Sequence, residues 1–588
     1  MLSRYAAACL LLFCGPLFAN PQLDQMLDDI WHFELTTDPL RATRFGLSGY
    51  ADKLADLSPA ALASANQQRR SFLDKLSLLD RNALNEEEKI TLAIQQRELQ
   101  AAIDAYAFNS HFMPLTSEYG FHSALAFLPK NTPFNEIIDY RNYLHRLAQF
   151  PRYFTQQITW MRQGIESGFT QPKAVLVNYE NSVSAFIHDS PEQSVYYQPF
   201  QNLAQTDSTQ LGLTEKDKQA LLKEAQTVIS TSVYAAYQAY YDFLLSEYLP
   251  AAKDDIAAKS WPQGEAYYQN QANYYTTLNM SVNDIHQLGI NEVKRIRAEM
   301  QAIVSRLKFK GDLNAFIQFL RSDPQFYATS PQALLEHAAY IAKQIDAKLP
   351  KYFQLLPRTP YGVAPVPDSI AAKYTTGRYI APSSDTEAGY YWVNTYALNT
   401  RPLYELPALT LHEAVPGHHL QISLAQEMQD LPNIRRYNYI SAFGEGWGLY
   451  AEYLGKEMGV YTTDYEAFGA LSYEMWRACR LVVDTGIHIM QWSRQQAIDY
   501  MLENTALSVH NIGTEVDRYI SWPGQALSYK LGEITIKTLR QQAEQQLGTR
   551  FDVRAFHHAV LSHGAIPLDT LEQQIQGFIQ SQLSAVQP

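Results

Sequence analysis

Long stretches of this chain repeat apolar residues at steps of three and four, a period that suits helices and excludes most β architectures. Residues 86–108, 135–168, 217–249 and 281–307 all show it. In the last of these, Ser281 or Asn283 is the expected N-cap, because a short side-chain oxygen can accept the first free N–H groups of a helix. The pattern changes near Leu349. From "LPRTPYGVAPVPDSI" to "TRPLYELP" the chain is rich in Pro, Gly, Tyr and Thr. Within that region "RYIAPSSDTEAGYYWVNTYAL" predicts two short strands around a turn at Ser383–Gly389. Helices resume after Pro407. The expected fold is mainly α: a large helical body with a central cleft and a small β-sheet before one particular helix. Residues 20–349 are its helical N-terminal part, and 350–588 carry the sheet and the later helices. Two lobes across a cleft are the default for a chain of 588 residues.

The first residues, "MLSRYAAACLLLFCGPLFANPQ", have one positive residue, an apolar run and a small residue at position 19. That is the order of a secretory signal, with cleavage expected after Ala19. The run is too short to span a membrane. An uncleaved anchor and lipidation at Cys14 are the less favoured alternatives, the second because Phe13 is bulky where a small residue is wanted. The expected location is periplasmic or secreted, with no integral span after cleavage. Of three cysteines only Cys479 remains in the mature chain. No internal disulfide can form, so stability must come from a large core. Cys479 lies in the apolar "MWRACRLVV" and is expected to be a buried thiol. The formal charge of −13, without a basic run, argues against nucleic acid and anionic membranes as partners.

One segment carries metal chemistry. "LTLHEAVPGHHLQ" contains His412 and Glu413, but Pro416 stands where His-Glu-x-x-His would place its second histidine. The next histidines are His418 and His419. In an ideal helix His418 faces away from His412, and His419 lies about 10.5 Å further along the axis. Pro removes a backbone hydrogen bond and Gly tolerates unusual angles. A bulge at Val415–Gly417 is therefore expected to return a histidine toward His412: His418 by preference, His419 as runner-up or supporting partner. Downstream, "GEGWGLYAEYLG" places Glu445 and Glu452 seven residues apart on one helical stripe among small and apolar residues. A carboxylate from a second helix is what a two-histidine site lacks as its third ligand.

"GEGWGLYAEYLG" resembles the segment of aminopeptidase-N-type enzymes that supplies the third zinc ligand. Together "LHEAVPGHHLQ", "GEGWGLYAEYLG", "MWRACRLVVDTGIH" and "YISWPGQALSYKLGE" resemble the bacterial family called domain of unknown function 885, grouped with the gluzincin metallopeptidases. The resemblance spans most of the mature chain. It implies one Zn2+ held by His412, His418 and Glu445, and a peptide as substrate. A zinc ion supplies Lewis acidity and an acidified water. Glu413 would be the general base, and Glu452 would orient a ligand. Tyr529, then His488, would stabilise the oxyanion, with Arg480 a further candidate donor. Lys530 and Arg480 would line the cleft. The strand carrying Tyr391 and Asn394 would bind the substrate backbone along a sheet edge. The alternative is an inactive protein, or one processing other amides or esters, on the same fold. A carboxylate-bridged di-iron bundle needs Glu-x-x-His, and none of the fifteen histidines has a Glu three residues before it.

Overall fold

The computed structural model describes residues 20–207, 211–372, 374–382 and 387–584. The expected signal, residues 1–19, lies outside them, as does most of the expected turn after Ser383. Helices dominate the described residues, with one three-stranded sheet. None of the described helices is long and apolar enough to cross a membrane.

The helical periodicity holds with one instructive break. Residues 86–107 and 282–306 are each a single helix, the latter capped by Ser281, whose side chain accepts from Asp284 N. The 135–168 stretch is instead two helices, Ile137–Leu147 and α1 (Phe150–Ser167). Pro151 falls in the first turn of α1, where its missing N–H costs nothing, and the chain bends just before it. Helix α1 packs on α2 (Tyr234–Phe243) in the N-terminal part; eight helices frame the site and its support: α3 (Val282–Arg306), α4 (Pro331–Asp346), α5 (Leu406–Glu413), α6 (His418–Glu427), α7 (Ser441–Glu457), α8 (Asp464–His488), α9 (Val509–Ser521) and α10 (Ser528–Leu547). One contiguous apolar core runs from Leu54 to Ile579. Cys479 is a buried free thiol within it.

Two helix pairs hold the site region together: α3 against α8, and α7 against α10. The second pair explains the glycines of "GEGWG". Gly446 of α7 faces Gly532 of α10, and a Cβ on Gly446 would stand 2.5 Å from the Gly532 Cα. The two backbones touch there, and only glycine on both sides permits it. The last half of α8, from Met475 to His488, is buried on every face, and its polar members Arg477, Arg480, Asp484 and His488 each find a partner inside the protein.

The sheet has the order β1 (Tyr361–Pro365), β3 (Gly389–Val393), β2 (Gly377–Ile380). β1 pairs parallel with β3, and β2 pairs antiparallel with it, Tyr379 opposite Tyr391. The two expected strands are β2 and β3; β1 had no alternating pattern to announce it. The strand carrying Tyr391 is thus central, and β2 is the edge beside α5.

The Gly446–Gly532 contact gives a direct test. Gly446→Ala should destabilise the protein by about 1–3 kcal/mol through overpacking, read as a lower thermal midpoint by circular dichroism. An unchanged midpoint would show that α7 and α10 separate without cost.

Candidate metal centre

The Pro-Gly pair does more than bulge a helix. Helix α5 stops at Glu413, and Ala414 leaves helical space with ψ −110°. The Val415–Pro416 peptide is cis, and α6 starts afresh at His418. The expectation of one bulged helix is corrected to two helices joined by a corner, since Pro416 has no N–H to return to the carbonyl of His412. Gly417 lies against the carbonyls of His412 and Leu411, where any Cβ would collide. From α7, the buried Trp447 indole donates to the Pro416 carbonyl at 2.7 Å.

The corner turns His418 back. Its ring lies 4.7 Å from that of His412, at 88° to it. His412 Nε2 and His418 Nε2 stand 3.5 and 3.3 Å from the same atom, Glu445 Oε2. The three ligand-type atoms all lie within 4.8 Å of one another. Donors about 2.1 Å from one tetrahedral ion sit roughly 3.4 Å apart, so this set could hold zinc with small adjustments. Two imidazoles and a carboxylate are also the donor chemistry of a catalytic zinc site.

The ligand set is buttressed from behind. His412 Nδ1 meets Glu452 Oε1 at 2.8 Å, and Arg477 Nη2 of α8 lies 3.1 Å from that oxygen. A carboxylate on Nδ1 places the imidazole proton there and leaves Nε2 as the electron donor. Gly448 makes room for the ring, because a Cβ there would stand 2.6 Å from His412 Cε1. Burial disfavours charge on His412, yet its contacts with Glu445 and Glu452 outweigh this and raise it to about 9. Burial also works against the Glu445 carboxylate, but His418 and His412 beside it hold it well below the usual range.

Around them lies a recess. Tyr439 donates to Glu445 Oε1 at 3.0 Å. The residue keeps 46% of its surface accessible, although burial is the first cause lifting its hydroxyl far above normal. Accessible surface amid densely packed protein marks an internal cleft. Glu413, 8% exposed, accepts a 2.7 Å hydrogen bond from the backbone N–H of Tyr379 on β2. Tyr529 is half-buried. Burial, then Glu445, raises its hydroxyl, while Arg518 and Arg480 pull it down. It therefore sits between the carboxylate of the cluster and a pair of arginines.

Other expected site residues have different work. His419 diverges from His418: its Nδ1 meets the Tyr379 hydroxyl at 3.1 Å, and its ring packs 4.5 Å from that of Tyr361. Burial lowers it to about 4. His488 is fully buried; it accepts from Ala258 N at 3.1 Å and meets the Tyr519 carbonyl at 2.9 Å, so neither nitrogen is left for an oxyanion. Lys530 is sealed among Glu474, Glu533 and Glu292 at 2.7, 2.5 and 3.1 Å. Arg480 binds Glu515 at 2.9 Å and the Tyr519 hydroxyl at 3.0 Å, and lies 4.1 Å over the Tyr529 ring. It seats Tyr529 more than it lines the cleft. Tyr391 and Asn394 are fully buried on or beside the central strand. Asn394 Nδ2 donates to the carbonyls of Ala371, Tyr374 and Thr375. β3 is paired on both sides, so the expectation of a substrate-binding edge along Tyr391 and Asn394 is corrected: that strand has no free edge. Sequence reasoning missed Tyr439, Arg477 and the Tyr379 backbone; an arginine inside the apolar "MWRACR" was the one available signal.

Residues 39–575 match the family described as "Bacterial protein of unknown function (DUF885)". The chain belongs to this family. It is also similar to a solved structure described as "the putative lipoprotein from Colwellia psychrerythraea", with a TM-score of 0.88 and 28% identity over 95% of this chain and 99% of that one. A second, "a putative lipoprotein of unknown function from Shewanella oneidensis", shares the fold at a TM-score of 0.72 and 18% identity, covering 94% and 98%. Among curated proteins none matches.

The divergence of the two histidines predicts unequal variants. On zinc titration of the purified chain, His418→Ala should abolish stoichiometric uptake, and His419→Ala should keep it. Zinc uptake by the wild-type chain should release protons and tighten as pH rises toward 9, because His412 must give up its proton first. Calorimetry in buffers of different ionisation enthalpy reads that release.

Proposed function

We propose that the protein is a metal-dependent hydrolase of peptides working in the bacterial cell envelope. The observation that carries this is the convergence of His412, His418 and Glu445, with Glu413 flanking and Glu452 behind. When bound there, zinc supplies Lewis acidity toward a carbonyl and toward water. The remaining work belongs to the chain. Glu413 Oε2 is fixed by Tyr379 N, so the carboxylate is oriented to take a proton from water and hand it to the leaving amine. The Tyr529 hydroxyl, kept protonated by burial and by Glu445, is the donor available to a developing oxyanion. Tyr439 steadies Glu445, and the Glu452–Arg477 pair steadies His412.

The envelope location rests on the N-terminal sequence and on the relatives. Both of the solved structures named above are described as a "putative lipoprotein". That favours acylation at Cys14 over cleavage after Ala19, and reverses the preference drawn from Phe13 alone. Cys14 lies only six positions before Asn20, whose backbone N–H is held by Glu88 at the start of the first helix. A lipid there would keep the body close to the bilayer.

Two experiments test this reading. Glu413→Gln should lower kcat for peptide hydrolysis by roughly 10²–10⁴-fold with KM nearly unchanged, and a chelator should abolish wild-type activity. Equal turnover in mutant and wild type would remove Glu413 from the mechanism. For location, the wild-type protein should fractionate with membranes and Cys14→Ser should not; a soluble wild-type protein would restore the signal-peptide reading.

A further inference from the structure

The edge strand β2 carries an arginine that the chemistry so far does not use. Arg378 is solvent-accessible, yet burial is the first influence on its guanidinium, so the solvent it meets is that of the cleft. An arginine has five N–H donors; among the described residues Arg378 uses Nη1, which donates to the Tyr119 hydroxyl at 3.2 Å. The face of Tyr374 lies 5.4 Å below the guanidinium carbon. Among the described residues no carboxylate comes within ion-pair distance of it. Most other cleft cations are matched: Arg480 and Arg518 share Glu515 at 2.9 and 3.4 Å. Glu118 feels Arg518, Arg378 and Arg480 together, while burial, the first influence on it, raises it.

Position gives the arginine its meaning. Its field reaches both Glu413 and Tyr529. It is also the residue immediately before Tyr379, whose backbone N–H holds Glu413. A peptide whose scissile bond lies between Glu413 and Tyr529 therefore passes Arg378 within a residue or two of that bond. A planar guanidinium with donors that have no partner among the described residues is matched to a carboxylate, which it can bind in bidentate fashion. Tyr119 and Tyr374 hold its side chain in place beforehand, which lowers the entropy cost of that contact.

We infer that Arg378 is the anchor for a carboxylate borne by the substrate next to the scissile bond, which makes the preferred substrates acidic at that point. This rests on the peptidase reading of the cleft for the identity of the anion. The carboxylate is that of a free C-terminus or of an Asp or Glu side chain.

Binding can be measured without turnover. Three probes are titrated calorimetrically into the purified chain and its Glu413→Gln variant: N-acetyl-tetra-alanine with a free C-terminus, its C-terminal amide, and the amide with aspartate in the third position. One of the two acidic probes should bind at least about tenfold tighter than the neutral amide, and which one does identifies the source. Arg378→Gln should remove that preference while leaving affinity for the neutral amide in place, and Arg378→Lys should restore part of it. An unchanged thermal midpoint in Arg378→Gln separates lost anchoring from lost folding. Equal affinity for all three probes, no binding by any, or a preference that survives in Arg378→Gln would overturn the inference. If peptides are not hydrolysed but the Arg378-dependent preference is present, the hydrolase reading fails and the anchor stands.

Discussion

The corner at Pro416 is the constraint on which the site depends. Two histidines six apart on a regular helix cannot serve one ion, because the second points away. The chain solves this by ending one helix and starting another. That leaves backbone groups inside the protein without helical partners, and each costs about 1–3 kcal/mol if unpaired. The Trp447 indole takes the carbonyl of Pro416, and His419 N returns to the carbonyl of Ala414. The helix that supplies Glu445 thus also supplies the group that holds the corner. Corner and third donor are set by one element.

The surrounding helices make that geometry rigid by burying charge. Arg477 and Glu452 are both under 6% exposed and lie behind His412. Arg480, Glu515 and Arg518 form a similar set behind Tyr529. Buried ion pairs add little net stability, since desolvation consumes most of the attraction. What they provide is position: each charged group has few places where its partner is within reach. The apolar core and the Gly446–Gly532 crossing carry the stability, and the ionic layer decides where particular atoms sit.

Much of this was legible in the sequence, for identifiable reasons. Helical periodicity is local and survives into the structure. The His412, His418, Glu445 and Glu452 grouping followed from spacing plus the oddity of carboxylates among glycines. What failed was long-range. His488 and Lys530 are of the right type for a site, but their partners, Ala258, Tyr519, Glu292 and Glu474, are distant in sequence. Strand β1 has no alternating pattern, so the central place of β3 could not be seen, and β3 was read as a sheet edge that it is not. The bulge was a sound reading of Pro-Gly, but a dipeptide cannot say whether a helix bends or ends.

Strand β2 joins two tasks that are normally separate. Tyr379 lends its backbone N–H to Glu413, while its neighbour Arg378 extends toward the cleft. Successive residues of a strand face opposite sides. A slip of β2 by a single residue against β3 would exchange those sides and remove both contacts in one movement. The proposed proton acceptor and the proposed reader of substrate charge are therefore not independently adjustable. Any change in this family that re-aims one by shifting the strand re-aims the other, so selectivity there is expected to evolve by side-chain replacement on a fixed register.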